Sequence, residues 1–165
     1  MLATVLATST PTPNTGTSKL EGWREFKFGM TSGEVMTRLD GKGSIHAGGV
    51  RSTTQIEGVT YEVRMKFKRN RLHEIHLWSG VGYSKPHNDQ QCLAYHAKIT
   101  NELEVAHNIK SDNETSYIGS NTRYIFTHSK INFPAGESAA IDTKFVPALD
   151  SKGYCDSKIT LRDTE

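Results

Sequence analysis

Residues 59–67, Val-Thr-Tyr-Glu-Val-Arg-Met-Lys-Phe, alternate apolar and polar without a break. Val59, Tyr61, Val63, Met65 and Phe67 fall on one side; Thr60, Glu62, Arg64 and Lys66 fall on the other. A period of two marks a strand with one buried and one wet face, so this stretch commits the chain to a sheet covered on one side. The polar run Lys68-Arg69-Asn70-Arg71 is a turn, and "LHEIHLWSG" (72–80) returns as a second strand, making a hairpin.

The covering layer is supplied by two helical patterns. Thr31 can cap, Glu34 stands at the reciprocal capping-box position, and Val35, Met36 and Leu39 form an apolar side that "DGKG" (40–43) brings to a stop. From Asp89 to His107, Cys92, Leu93, His96, Ile99, Leu103 and Ala106 recur at the spacing of a helix stripe. The polar run "IKSDNETSYIGSN" (109–121) reads as a long loop. Strand-like runs at 122–133, 139–146 and 154–161 then close the chain, with turns at 134–136 and 147–153. The expected order is helix, hairpin, helix, three-stranded meander. This is an α+β protein with two helices packed on one face of a mostly antiparallel sheet, the other face left to solvent or a partner.

Cys155 shares a strand face with Ile159 and Leu161, and Cys92 lies on the apolar stripe of the long helix. Both sulfurs therefore point into the same helix–sheet layer. They form either a disulfide or two buried thiols packed as small hydrophobes.

With 165 residues the chain is one domain, or two small half-repeats sharing one sheet. Residues 1–18 stand apart as a signal remnant or disordered leader, leaving 19–165 as a single α+β domain. Met1 to Ala7 is small and apolar, with Val5 and Ala7 at signal-peptidase spacing, but it lacks a basic n-region and a long apolar run. Residues 8–18 have linker composition. No apolar run is long enough to span a bilayer as a helix.

The stretch "FKFGMTSGEVMTRL" (26–39) resembles the opening of small exported bacterial domains of the β-lactamase-inhibitor-protein and barrel-assembly-lipoprotein kind, where a Gly-Met-Thr turn followed by Val and Leu starts each αβ unit. The chain beyond this opening is similar to a group of uncharacterised periplasmic proteins: a Gly-led strand (Gly58 to Phe67), a basic turn, a second strand (Leu72 to Leu77), a Cys-bearing helix (Cys92 to Leu103), then strands. The Gly-Pro that often comes after the first helix in that group is replaced by "DGKGS", and no lipobox Cys stands near the N-terminus. The resemblance implies a two-layer scaffold that binds proteins as an inhibitor or assembly factor, in the periplasm or secreted, and it carries over no catalytic residues.

The chemistry-bearing residues point the same way. "FGMTSGEV" (28–35) lacks the further Gly and the Lys of a phosphate-binding loop, so it reads as an architectural turn. His73 and His76 fall on opposite strand faces and the remaining His are scattered, so no metal site and no cofactor is expected. No nucleophile elbow appears, and Asp40, Glu57, Asp142 and Asp156 have no spacing that singles them out. Five cations crowd residues 64–71, the pattern of an electrostatic patch for an acidic protein surface, a phospholipid headgroup or nucleic acid; the net charge is only +2 and aromatic interleaving is sparse, so nucleic acid is not an expected partner. Those cations also fit a solvated strand face whose lysines block edge pairing. Arg64, Lys66, Lys68, His76 and Trp78 are the candidate protein-binding residues, because an exposed Trp beside Arg is typical of interface anchors. The expectation is a non-enzymatic exported module binding a toxin, enzyme or envelope component. An envelope-assembly factor and a small hydrolase are the alternatives.

Overall fold

The handover at Phe26–Val35 is made by backbone and cap chemistry. Gly29 adopts φ 84° and donates its N–H to the Leu72 carbonyl at 2.9 Å, while Leu72 N–H returns to the Met30 carbonyl at 2.7 Å. This hooks the segment onto a later strand. Thr31 then caps the first helix: its N–H donates to Glu34 Oε2 at 2.7 Å, and Glu34 N–H donates to Thr31 Oγ1 at 3.3 Å. Both halves of a capping box are present, so Thr31→Ala should cost about 1 kcal/mol, read as a fall in the urea midpoint with unchanged slope.

The computed structural model describes residues 19–79, 86–118, 124–147 and 153–164. The leader expected over 1–18 lies outside the described residues. A small two-stranded ribbon, β1 (Gly22–Trp23) and β2 (Phe26–Lys27), precedes α1 (Ser32–Leu39). There follow β3 (Ser44–His46), β4 (Gly49–Ile56), β5 (Val59–Lys68), β6 (Arg71–Trp78) and β7 (Pro86–His87). After α2 (Asp89–His107) come β8 (Asp112–Ile118), β9 (Tyr124–Asn132), β10 (Ser138–Pro147) and β11 (Gly153–Arg162). The chain is α+β, as expected, with two helices and a mostly antiparallel sheet.

The arrangement is richer than the expected helix, hairpin, helix and three-stranded meander. The main sheet runs β3-β4-β5-β6-β11-β10-β9-β8, with β7 pairing β11 beyond the stretch that β6 occupies. The predicted hairpin is the second half of a four-stranded meander that begins at β3. The polar run read as a loop over 109–121 holds β8, an edge strand paired to β9 from Asp112↔Lys130 to Ile118↔Tyr124. Each half of the molecule is thus a helix followed by a four-stranded antiparallel meander. The halves join through their last strands, β6 and β11, from Trp78↔Lys158 to Glu74↔Arg162. Among the described residues no helix is long and apolar enough to cross a membrane.

One side of the sheet carries the core. Val63, Met65, Ile75, Leu77, Ile141, Ile159 and Leu161 are all buried there, together with Val35 and Leu39 of α1 and Ile99 and Leu103 of α2. α2 packs across β9, β10 and β11, and α1 against β4. Cys92 and Cys155 meet in disulfide geometry, Cα atoms 5.5 Å apart, within a smaller cluster that includes Ile125 and Phe145.

A polar seam runs through this otherwise apolar layer. His96 is 3% exposed; its Nδ1 lies 2.9 Å from Thr143 Oγ1 and its Nε2 lies 2.6 Å from Ser129 Oγ. Ser129 also hydrogen-bonds Asn113 of β8, and Thr100 Oγ1 donates to it at 3.3 Å. Farther along, the Tyr61 and Tyr95 hydroxyls meet at 2.5 Å, and burial pushes both phenols above their ordinary range. Ser129 spends its single proton on Asn113 Oδ1, so it accepts from His96 Nε2–H, and Nδ1 accepts from Thr143 Oγ1; the neutral ring is satisfied as that one tautomer, without a charge.

The open sheet face as candidate binding site

Strand alternation turns Glu62, Arg64 and Lys66 of β5, Glu74, His76 and Trp78 of β6, and Asp156, Lys158, Thr160 and Arg162 of β11 to the side opposite the core. Among the described residues no helix covers this side. The ladder sets Arg64 opposite His76, and Trp78 between Glu62 on one neighbour and Lys158 on the other.

Trp78 is 40% exposed yet fixed in position. Its Nε1 donates to Asp156 Oδ1 at 3.0 Å, and the Arg64 guanidinium stands 5.9 Å from its ring centroid. Arg64 is itself held by Glu62, with Nε 2.6 Å from Oε1 and Nη2 3.3 Å from Oε2. The Arg64 hydrogen bond keeps the Glu62 carboxyl below its ordinary range. The result is a rigid aromatic clamped between a cation and a carboxylate, presented to solvent.

Glu74 is the buried acid of this face. Arg162 Nη2 donates to its Oε1 at 2.7 Å, and Lys66 Nζ lies 3.4 Å from Oε2. Burial raises the Glu74 carboxyl, but the Arg162 hydrogen bond with the His76, Arg162 and Lys66 charges outweighs it, so the net shift is downward. His76 Nε2 lies 2.8 Å from Glu74 Oε1 without hydrogen-bond alignment. Burial pulls His76 below its ordinary value against the pull of Glu74.

Four of the five candidate residues, Arg64, Lys66, His76 and Trp78, line one shallow hollow of about 430 Å³ together with Lys158. Lys68 stands apart at the β5–β6 hairpin tip, beyond a register shift between Lys66 and Phe67. A second hollow of about 340 Å³ on the far side of Trp78 adds Phe126, Asp142, Lys144 and Asp156. The candidate binding residues left out Asp156 and Lys158, although both alternate with the buried Cys155, Ser157 and Ile159 and so had to point outward. That β11 lies beside β6 could not be read locally.

The Ser129–His96 contact has the reach of a nucleophile–base pair, but both residues are buried, at 0% and 3% exposure, and the second ring nitrogen meets a Thr instead of a carboxylate. Among the described residues no three His, Cys, Asp or Glu side chains converge as metal ligands.

Compared with family models, curated proteins and solved structures, the chain matches none. The site is therefore read from its own geometry.

Proposed function

We propose that this chain is a non-enzymatic protein-binding module, of inhibitor or immunity type, that meets its partner with the open sheet face. The observation that carries this reading is Trp78, exposed on an uncovered sheet and held between Arg64 and Asp156. A side chain already fixed loses little entropy on binding, and Trp beside Arg is the composition of interface hot spots. Lys158, with no ion pair among the described residues, offers a charge next to that anchor. The resemblance of residues 26–39 to small exported inhibitor and assembly domains supports the same class and a periplasmic or secreted location. A Cys92–Cys155 disulfide would persist in such a compartment.

The test is capture of a stoichiometric protein partner from envelope extract, followed by affinity measurement on the purified pair. Trp78→Ala combined with Arg64→Glu should weaken binding by about 2 kcal/mol or more, roughly 30-fold, with the melting curve retained. Undiminished binding by the double variant would show that recognition lies elsewhere.

A further inference from the structure

We propose a second site, separate from the Trp78 face: the tip of the β5–β6 hairpin binds phosphomonoester groups. A hollow of about 420 Å³ opens there, walled by Lys68, Arg69, Arg71, His73, Gly29 and Asp163. The cations at the tip differ from four of those on the open face, Lys158 there also lacking an ion pair among the described residues. Arg51, Arg64, Lys66 and Arg162 each reach a carboxylate, whereas Lys68, Arg69 and Arg71 have none within ion-pair distance among the described residues. Asp163, the acid in the wall, accepts the Thr164 N–H through Oδ1 at 2.8 Å. Arg71 Nη1 donates to the Gly29 carbonyl at 3.0 Å, which fixes the guanidinium at the rim and leaves its other N–H groups for a ligand. His73 stands in the same wall, its Nδ1 shielded and without a hydrogen-bond partner.

The backbone at the tip is compatible with this assignment. Arg69 and Asn70 have φ of 52° and 60°, the pattern of a type I′ hairpin turn, which favours Asn followed by Gly. Asn70 tolerates this conformation; an Arg held there is strained. Arg24 and Glu57 hold the same conformation in other turns, at φ 52° and 51°, so the strain at Arg69 fits a cation kept at the mouth of the hollow while the lining of the hollow carries the assignment. Two guanidinium forks and one ammonium match a tetrahedral dianion better than a planar carboxylate. The hollow exceeds the size of one phosphate, so it accommodates part of the group that carries it. That group is a soluble organophosphate or a phosphorylated lipid headgroup, which share this chemistry.

The experiment is an NMR titration of the full chain with glycerol 3-phosphate, alongside flotation with phosphatidylcholine vesicles with and without phosphatidic acid. Wild-type protein should show saturable shifts confined to the amides of residues 68–73, or float only with phosphatidic acid. The first result assigns a soluble ligand and the second a membrane headgroup. Arg69→Asn should weaken the response about tenfold or more while raising Tm, because Asn accepts the left-handed turn; Lys68→Gln should weaken it with Tm unchanged. The proposal is overturned if neither probe acts on residues 68–73, or if both variants respond as wild type does. Neither outcome depends on Trp78, so this site and the open-face reading fail independently.

Discussion

Replacing Cys92 and Cys155 together by Ala, or reducing the wild-type protein, should lower Tm by about 10 °C. A bridge across 63 residues of sequence restricts the unfolded chain by about 2–4 kcal/mol, and a chain of this length loses roughly 2–4 °C per kcal/mol. The cross-link also ties the first turn of α2 to β11, at the centre of the cluster holding Ile125 and Phe145. Thermal melts with and without reductant read the effect directly. The double Ala variant should be insensitive to reductant, and a wild-type melt equally insensitive would mean that the sulfurs are two thiols.

The second large effect is a loss of stability in mild acid, set by His96. Burial inside the helix–sheet layer lowers its pKa to about 4 from an ordinary value near 6.5. Between those values the unfolded chain binds a proton that the folded chain refuses. The stabilisation is therefore complete above pH 6.5 and lost as pH falls toward 4, about 3 kcal/mol in all. Protonation would also leave a charge facing the Ser129 and Thr143 hydroxyls with no carboxylate in contact. Other groups add to the slope, since burial lowers His76 and His107 and partners lower Glu62, Glu74 and Glu104. Urea unfolding of wild type and His96→Gln at pH 7 and pH 4.5 isolates the His96 contribution. The variant should show a clearly flatter pH dependence, and equal slopes would contradict the account.

What could be read from the sequence was whatever obeyed a period. Val59 to Phe67 alternates in the sequence and in the structure, and Thr31 and Glu34 cap α1 in the expected way. Cys92 and Cys155 lay on core-facing positions of their elements, which placed both sulfurs in one layer and left their pairing open; the structure brings them together. β8 escaped because an edge strand needs little apolar surface: Asn113, turned inward, joins the polar seam at Ser129. β4 escaped because its core-facing Ser52 and Thr54 blur the alternation between Val50 and Ile56. The open-face site was half legible. Arg64, Lys66, His76 and Trp78 lie on one hairpin, where parity alone sets their direction. Asp156, which holds the Trp78 indole, is 78 positions away and enters only through the β6–β11 pairing.

The central claim is that the uncovered side of the sheet, and not the helical side, meets the partner. Photo-crosslinking in the native host tests it most directly, with a photoreactive residue placed singly at Lys158 on the sheet face or at Asn101 on the exposed side of α2. A discrete protein adduct should form from position 158, disappear in the Trp78→Ala, Arg64→Glu background, and be absent from position 101. An adduct from 101 with none from 158 would contradict the account.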